Sequence, residues 1–380
     1  MEQCSKFLRF FLAGTLAALI FMFLLSGCEE NFDQPVKQTG PATPATSSGQ
    51  LGPLSKSDSR IQAAILVQER HTKRLMTSPD VVGTAVGLDA TGEVVVKIYT
   101  VREGVAGLPA SLDGEKVDVE VTGVIHAMAG KPSKGGTVSH TALQTPPIQL
   151  GTSGGWGFDL ANGYCCGGTL GSLVTKGGKQ YILSNYHVFR SDIVPGGNGL
   201  EAKNGDPIIQ PGLIDVQCNA SSAQNVATLA GTASLPGSNV DCAIAEVGPG
   251  MVRTDGAILE IGTISSSTVA AAINQAVKKS GRTTGLTRSK VSGLNGTVSI
   301  TYENECAGGT AFTKTFTGQI IIANKGSRFL NSGDSGSLMV EDVATNARAV
   351  GLLFAGSSTL AVANPIDDVL SFLGATMVGK

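Results

Sequence analysis

The feature that most limits how this chain can fold is a succession of short apolar runs, each about one strand long and each closed by turn residues. "TLGSLVTK" and "QYILSNYHV" meet through Gly177–Gly178, and "NVATLAG", "DCAIAEV", "GQIIIAN", "GSLMV" and "AVGLLFAG" follow. Strands of this length, separated by glycine-rich turns, predict a mainly β sandwich or barrel. The 50 glycines among 380 residues supply turns for many strands rather than for a few long helices. With charged residues at 15% and a formal net charge of −2, the surface carries neither a basic nucleic-acid face nor an acidic solvating tail.

The first residues read as a leader. Lys6 and Arg9 precede an apolar run from Phe10 to Leu25, which ends in "LSGCEE". A basic start, a short apolar segment and a small-residue exit describe a secretory signal over residues 1–27. The run is short for a transmembrane span, which needs about 20 apolar residues. "LSGC" resembles the bacterial lipobox, which implies lipidation of Cys28. The expected location is therefore outside the cytoplasm, lipid-anchored to a bacterial membrane facing the periplasm or the cell surface. Residues 28–58, rich in Pro, Ser, Thr and Gly, form the lipidated linker.

After Cys28 come Cys165, Cys166, Cys218, Cys242 and Cys306. In an oxidising compartment these make at most two internal disulfides and leave one thiol, with the connectivity open. A zinc site is disfavoured, because no C-x-x-C occurs and the chain has only four histidines.

From Ser59 the pattern changes. "SRIQAAILVQERHTKRLM" predicts a helix with Ser59 as its cap. "VVGTAVGL" and "EVVVKIYTV" around "DATG" predict a hairpin, and "EKVDVEVTGVIHAM" a further strand. Residues 59–128 thus form a small α+β module, with residues 129–154 as a second linker and 155–380 as the all-β unit. At the C-terminus, "NPIDDVLSFLG" predicts a helix capped by Asn364 with Pro365 at its first position.

Within the β unit, "NSGDSGSLMV" places Ser335 between glycines. A serine hydroxyl needs an adjacent base to become a nucleophile. Histidine titrates in the right range, and a carboxylate must fix its tautomer. His187 ends one apolar strand and Asp241 opens another. Each alone is the ordinary polar end of a strand.

Together, "YILSNYHVF", "VDCAIAEV" and "SGDSGSLMV", in the order His, Asp, Ser, resemble the catalytic segments of chymotrypsin-like serine proteases. "SGRTTGLTRSKVSG", residues 280–293, is similar to a segment of the bacterial secreted branch, the α-lytic protease and streptogrisin type. The resemblance spans roughly 155–375. It implies two antiparallel six-stranded β-barrels with a C-terminal helix, His187 and Asp241 on the first barrel and Ser335 on the second. It also implies an oxyanion hole from the N–H groups of Gly333 and Ser335, and a substrate strand at Phe354, Ala355 and Gly356. Phe329 and Leu330 fall near the base of the first specificity pocket. Asp334 is expected to turn inward onto Lys279 or Arg282.

The implied activity is that of a serine endopeptidase working through an acyl-enzyme on protein or peptide substrates. No cofactor, metal or nucleic acid is implied, and the chain is expected to act as a monomer held to the membrane by Cys28. The module at 59–128 matches the position of a pro-segment or an accessory domain. Two departures stand out. Tyr186 replaces a small or amide residue before the histidine, and Phe354 stands where a family serine donates to the catalytic aspartate. They leave a rival reading, a protease-fold protein that binds peptides without cleaving them. An α/β-hydrolase is disfavoured, since G-x-S-x-G and the order Ser, acid, His are lacking.

Overall fold

The computed structural model describes residues 52–128, 138–161, 164–190, 201–302 and 312–380. The expected signal, Cys28 and most of the first linker lie outside the described residues. Helix α1 (Ser59–Leu75) is capped by Asp58 rather than Ser59, since the Asp58 carboxylate accepts the Arg60 N–H at 3.0 Å. Its apolar stripe of Ile61, Ala64, Ile65, Val67 and Leu75 is buried. The helix lies on β1 (Val81–Leu88) and β2 (Val94–Thr100), which form the expected antiparallel hairpin. The strand predicted over 115–128 is two strands. β3 (Glu115–Val121) runs parallel to β2, and β4 (Ile125–Ala127) leaves the module. Gly123, at φ 71°, makes the break in a conformation that a side chain disfavours.

The first barrel uses β5 (Thr152–Trp156), β6 (Gly168–Leu170), β7 (Ser172–Lys176), β8 (Lys179–Ser184), β9 (Pro207–Gln210), β10 (Gln224–Ala230) and β11 (Ala243–Val247). Pairing runs β6–β5–β9–β10–β11–β8–β7. Because β6 continues into β7 across Gly171, the ring closes on six strands. Gly171 is required there, since a Cβ would lie 1.9 Å from the Gly336 carbonyl oxygen. A four-residue helix, α2 (Tyr186–Phe189), follows β8.

The second barrel uses β12 (Ala276–Gly281), β13 (Gly285–Tyr302), β14 (Phe312–Ala323), β15 (Leu338–Glu341), β16 (Ala349–Gly356) and β17 (Leu360–Pro365). Pairing runs β12–β15–β16–β17–β14–β13, and β13 pairs back with β12 to close the ring. Helix α3 (Ile366–Leu373) and β18 (Thr376–Met377) end the chain, β18 adding to β7. Asn364 does not cap α3: Pro365 holds the cap position, while the Asn364 side chain serves the site described below.

Two boundaries differ from expectation. Ile148 and Leu150, placed in a linker by the sequence, are fully buried in the core around the first barrel and bond through their N–H groups to Met251 and Ala257. The barrel unit therefore begins before residue 152. The α+β module is also continuous with the second barrel, because β1 pairs with β13 and prolongs its sheet. Cys165 bonds Cys218 and Cys166 is disulfide-bonded too, whereas Cys242 is a buried free thiol.

Candidate active site

β8 delivers Asn185 to the N-terminus of α2, and β11 starts just after Asp241. The edges of the first barrel therefore bring residues 185–187 and 241 together. His187 Nδ1 and Asp241 Oδ2 are 2.6 Å apart, with the Asp241 side chain wholly buried. Asp241 Oδ1 accepts the backbone N–H of Tyr186 at 2.7 Å and of His187 at 3.4 Å. Its backbone is clamped from both sides: Asn364 Oδ1 accepts the Asp241 N–H at 2.9 Å, and Asn185 Nδ2 donates to the Asp241 carbonyl at 2.7 Å.

The ring of Phe354 turns into the core beside Phe316, 5.0 Å between centroids. Asp241 takes a hydroxyl donor from another strand instead. Tyr302, the last residue of β13, donates its hydroxyl to Asp241 Oδ2 at 2.9 Å. Burial, reinforced by the negative Asp241, pushes the Tyr302 phenol well above its ordinary range, so it remains a donor at neutral pH.

Ser335 precedes β15 on the second barrel. Residue 168 of the first barrel separates it from the His187 segment: a Cβ on Gly168 would lie 2.6 Å from Val188 and 3.0 Å from the Ser335 carbonyl oxygen. The Ser335 hydroxyl donates to the Phe354 carbonyl at 3.2 Å, and His187 Nε2 has no hydrogen-bond partner among the described residues. The structure thus joins His187 to Asp241 and leaves the link between Nε2 and the serine hydroxyl unmade.

The loop around Ser335 is held by buried polar contacts. Gly333 and Gly336 have φ values of 95° and 90°, in the region that favours glycine. Asp334 turns inward, and of the two expected cations it takes Lys279, at 3.2 Å with both side chains fully buried. Asp334 also accepts from the N–H groups of Thr283, Thr284 and Asn331 and from the Thr284 hydroxyl. Burial outweighs the attraction of Asp334 and moves the Lys279 ammonium below its usual range. Arg282 instead forms a two-pronged pair with Asp215, at 2.6 and 2.7 Å, tying the second barrel to the first.

The substrate strand predicted at Phe354–Gly356 is already paired. β4 lies antiparallel to it, with Ala127 opposite Ala355 and His126 opposite Gly356. One residue on, the Met128 N–H donates to the Phe354 carbonyl at 3.2 Å and the Met128 carbonyl accepts the Gly333 N–H at 2.7 Å. The Met128 side chain is buried in one cluster with Phe329 and Leu330. Sequence reasoning missed Met128, Tyr302 and Asn364, since each reaches the site through pairing between distant segments.

No protein-family model and no curated protein matches this chain. Among solved structures it is similar to a glutamic acid specific serine protease, at 20% identity over 60% of this chain and 100% of that one, with a TM-score of 0.40. It is also similar to Thermobifida fusca protease A, at 18% identity over 61% and 99%, TM-score 0.40. Cellulomonas bogoriensis chymotrypsin matches at 20% identity over 56% and 91%, TM-score 0.34. The two closed barrels of this chain have the chymotrypsin-like arrangement expected from its sequence.

Proposed function

We propose that this protein is a serine endopeptidase, with Ser335 as nucleophile, His187 as general base and acid, and Asp241 as the group that orients His187. The observation that carries the reading is the buried His187–Asp241 pair at 2.6 Å, and the peptide carbonyl of Met128 held by the Gly333 N–H at 2.7 Å supports it as a stand-in for a substrate carbonyl. Rotation about χ1 of Ser335 releases Oγ from the Phe354 carbonyl and turns it toward Nε2. The serine oxygen then attacks a bound carbonyl while Nε2 takes its proton. Gly333, with the Ser335 N–H as second donor, stabilises the oxyanion, where one donor is typically worth about 3 kcal/mol of barrier. Nε2 returns the proton to the leaving amine, and water releases the acyl group by the same steps in reverse order.

A second reading has support in the serine hydroxyl bound to Phe354 rather than to His187: a binding protein on a protease fold. Labelling by a fluorophosphonate probe separates the two. The endopeptidase reading expects labelling that is lost in Ser335→Ala and strongly reduced in His187→Ala; an unlabelled, well-folded wild type would leave the binding reading. The "LSGC" sequence supports tethering outside the cytoplasm through a lipid on Cys28.

A further inference from the structure

We infer that the chain is its own first substrate, cut between Met128 and Ala129, and that its first pocket prefers an unbranched apolar side chain of methionine's length. This deepens the endopeptidase reading and rests on it. Three contacts define the register. The antiparallel pairing of His126 and Ala127 with Gly356 and Ala355 sets the direction in which the segment runs. The Met128 N–H on Phe354 and the Met128 carbonyl on Gly333 then single out one peptide group, the one whose carbonyl faces the proposed oxyanion donor.

The side chain of that residue identifies the pocket. A Cβ on Gly356 would lie 3.1 Å from Met128 Cε and 3.2 Å from Leu330, so a larger residue at 356 would crowd the thioether. Ser332 Oγ approaches Met128 Sδ at 3.8 Å, and Met128 belongs to the same buried apolar cluster as Phe329, Leu330 and Leu353. A charged side chain would lose its hydration among these apolar neighbours.

The step balances with water alone. Ser335 Oγ bonds to the Met128 carbonyl carbon, and its proton passes to His187 Nε2. The bond to the Ala129 nitrogen breaks as that nitrogen takes the proton. Water then hydrolyses the ester and leaves Met128 as a carboxylate.

The test follows the N-terminus of the large fragment made by the full chain, read by mass, alongside hydrolysis of an added fluorogenic peptide with methionine at the cleaved position. The expected result is a fragment beginning at Ala129 in wild type, uncut chain in Ser335→Ala, and slower but detectable processing in the branched Met128→Leu. Met128→Asp should slow the cut at least on the order of a hundredfold. If wild type hydrolyses the added peptide yet stays whole or begins elsewhere, the inference fails and the endopeptidase reading stands. Hydrolysis of neither chain nor peptide would overturn both. Unchanged processing in Met128→Asp would overturn the pocket assignment.

Discussion

The hydroxyl of Tyr302 and the Nδ1 of His187 converge on one oxygen of Asp241, at 2.9 and 2.6 Å. The phenol arrives from the end of an 18-residue strand, and its ring meets that of His187 edge to face at 5.9 Å. Removing the hydroxyl leaves that buried carboxylate oxygen with the imidazole alone. Hydrogen bonds to charged groups are worth about 1.5–3 kcal/mol. Tyr302→Phe should therefore fall by roughly that amount in stability and about tenfold in kcat, with KM nearly unchanged. The raised phenol pKa adds a pH signature. Its stabilisation is complete below the unfolded value near 10 and is lost as pH climbs beyond it. Thermal unfolding at pH 8 and at pH 10.5 should show a smaller alkaline loss in the variant.

The fully buried pair Lys279–Asp334 makes a different prediction. Lys279→Met removes the cation and leaves Asp334 with its four hydrogen bonds but no counter-charge. Loss of one partner from such a pair costs about 3–5 kcal/mol, whereas neutralising both can be nearly neutral. Denaturant unfolding should show the single variant strongly destabilised and Lys279→Met with Asp334→Asn partly recovered, since the amide oxygen still accepts the N–H groups of Thr283 and Thr284 while its NH2 loses the other two bonds. Equal losses in both would mean that the loop does not depend on this charge balance.

The two barrels and the residues at their edges were legible because strand-length apolar runs and turn glycines are local signals. His187, Asp241 and Ser335 stand at strand ends that the pattern marks. Tyr302 and Met128 left no such mark. Tyr302 lies 61 positions from Asp241, and Met128 meets Gly333 only because Gly123 turns β4 out of its module. Pairing between remote edges has no local periodicity to reveal it. The same cause misled the reading of Asn364, whose cap-like position beside Pro365 hides its bonds to Asp241 and, at 2.6 Å, to Gln319.

Cys242 adjoins Asp241 and is a free thiol, and burial together with that neighbouring charge pushes its pKa far up. The reactive species is the thiolate. Iodoacetamide at pH 8 should leave the peptide containing Cys242 unmodified in the folded protein and alkylate it after denaturation. Peptide mass analysis reads the difference, and rapid labelling of the native chain would mean that the core beside Asp241 opens.

The contact between β1 and β13 yields a prediction that links the module to the cleft. The strands approach closely at Gly83, where a Cβ would lie 2.8 Å from the Thr297 carbonyl oxygen and 2.9 Å from Val298. Gly83→Val must therefore push the module from the barrel, at a cost of about 1–3 kcal/mol for overpacking. Because β4 runs from that module onto β16, loosening one end should loosen the other. The variant is expected to melt at lower temperature and to hydrolyse an added peptide faster than wild type at equal concentration, since Met128 leaves Gly333 more often. A lower melting temperature with an unchanged rate would show that β4 holds the cleft independently of the sheet behind it.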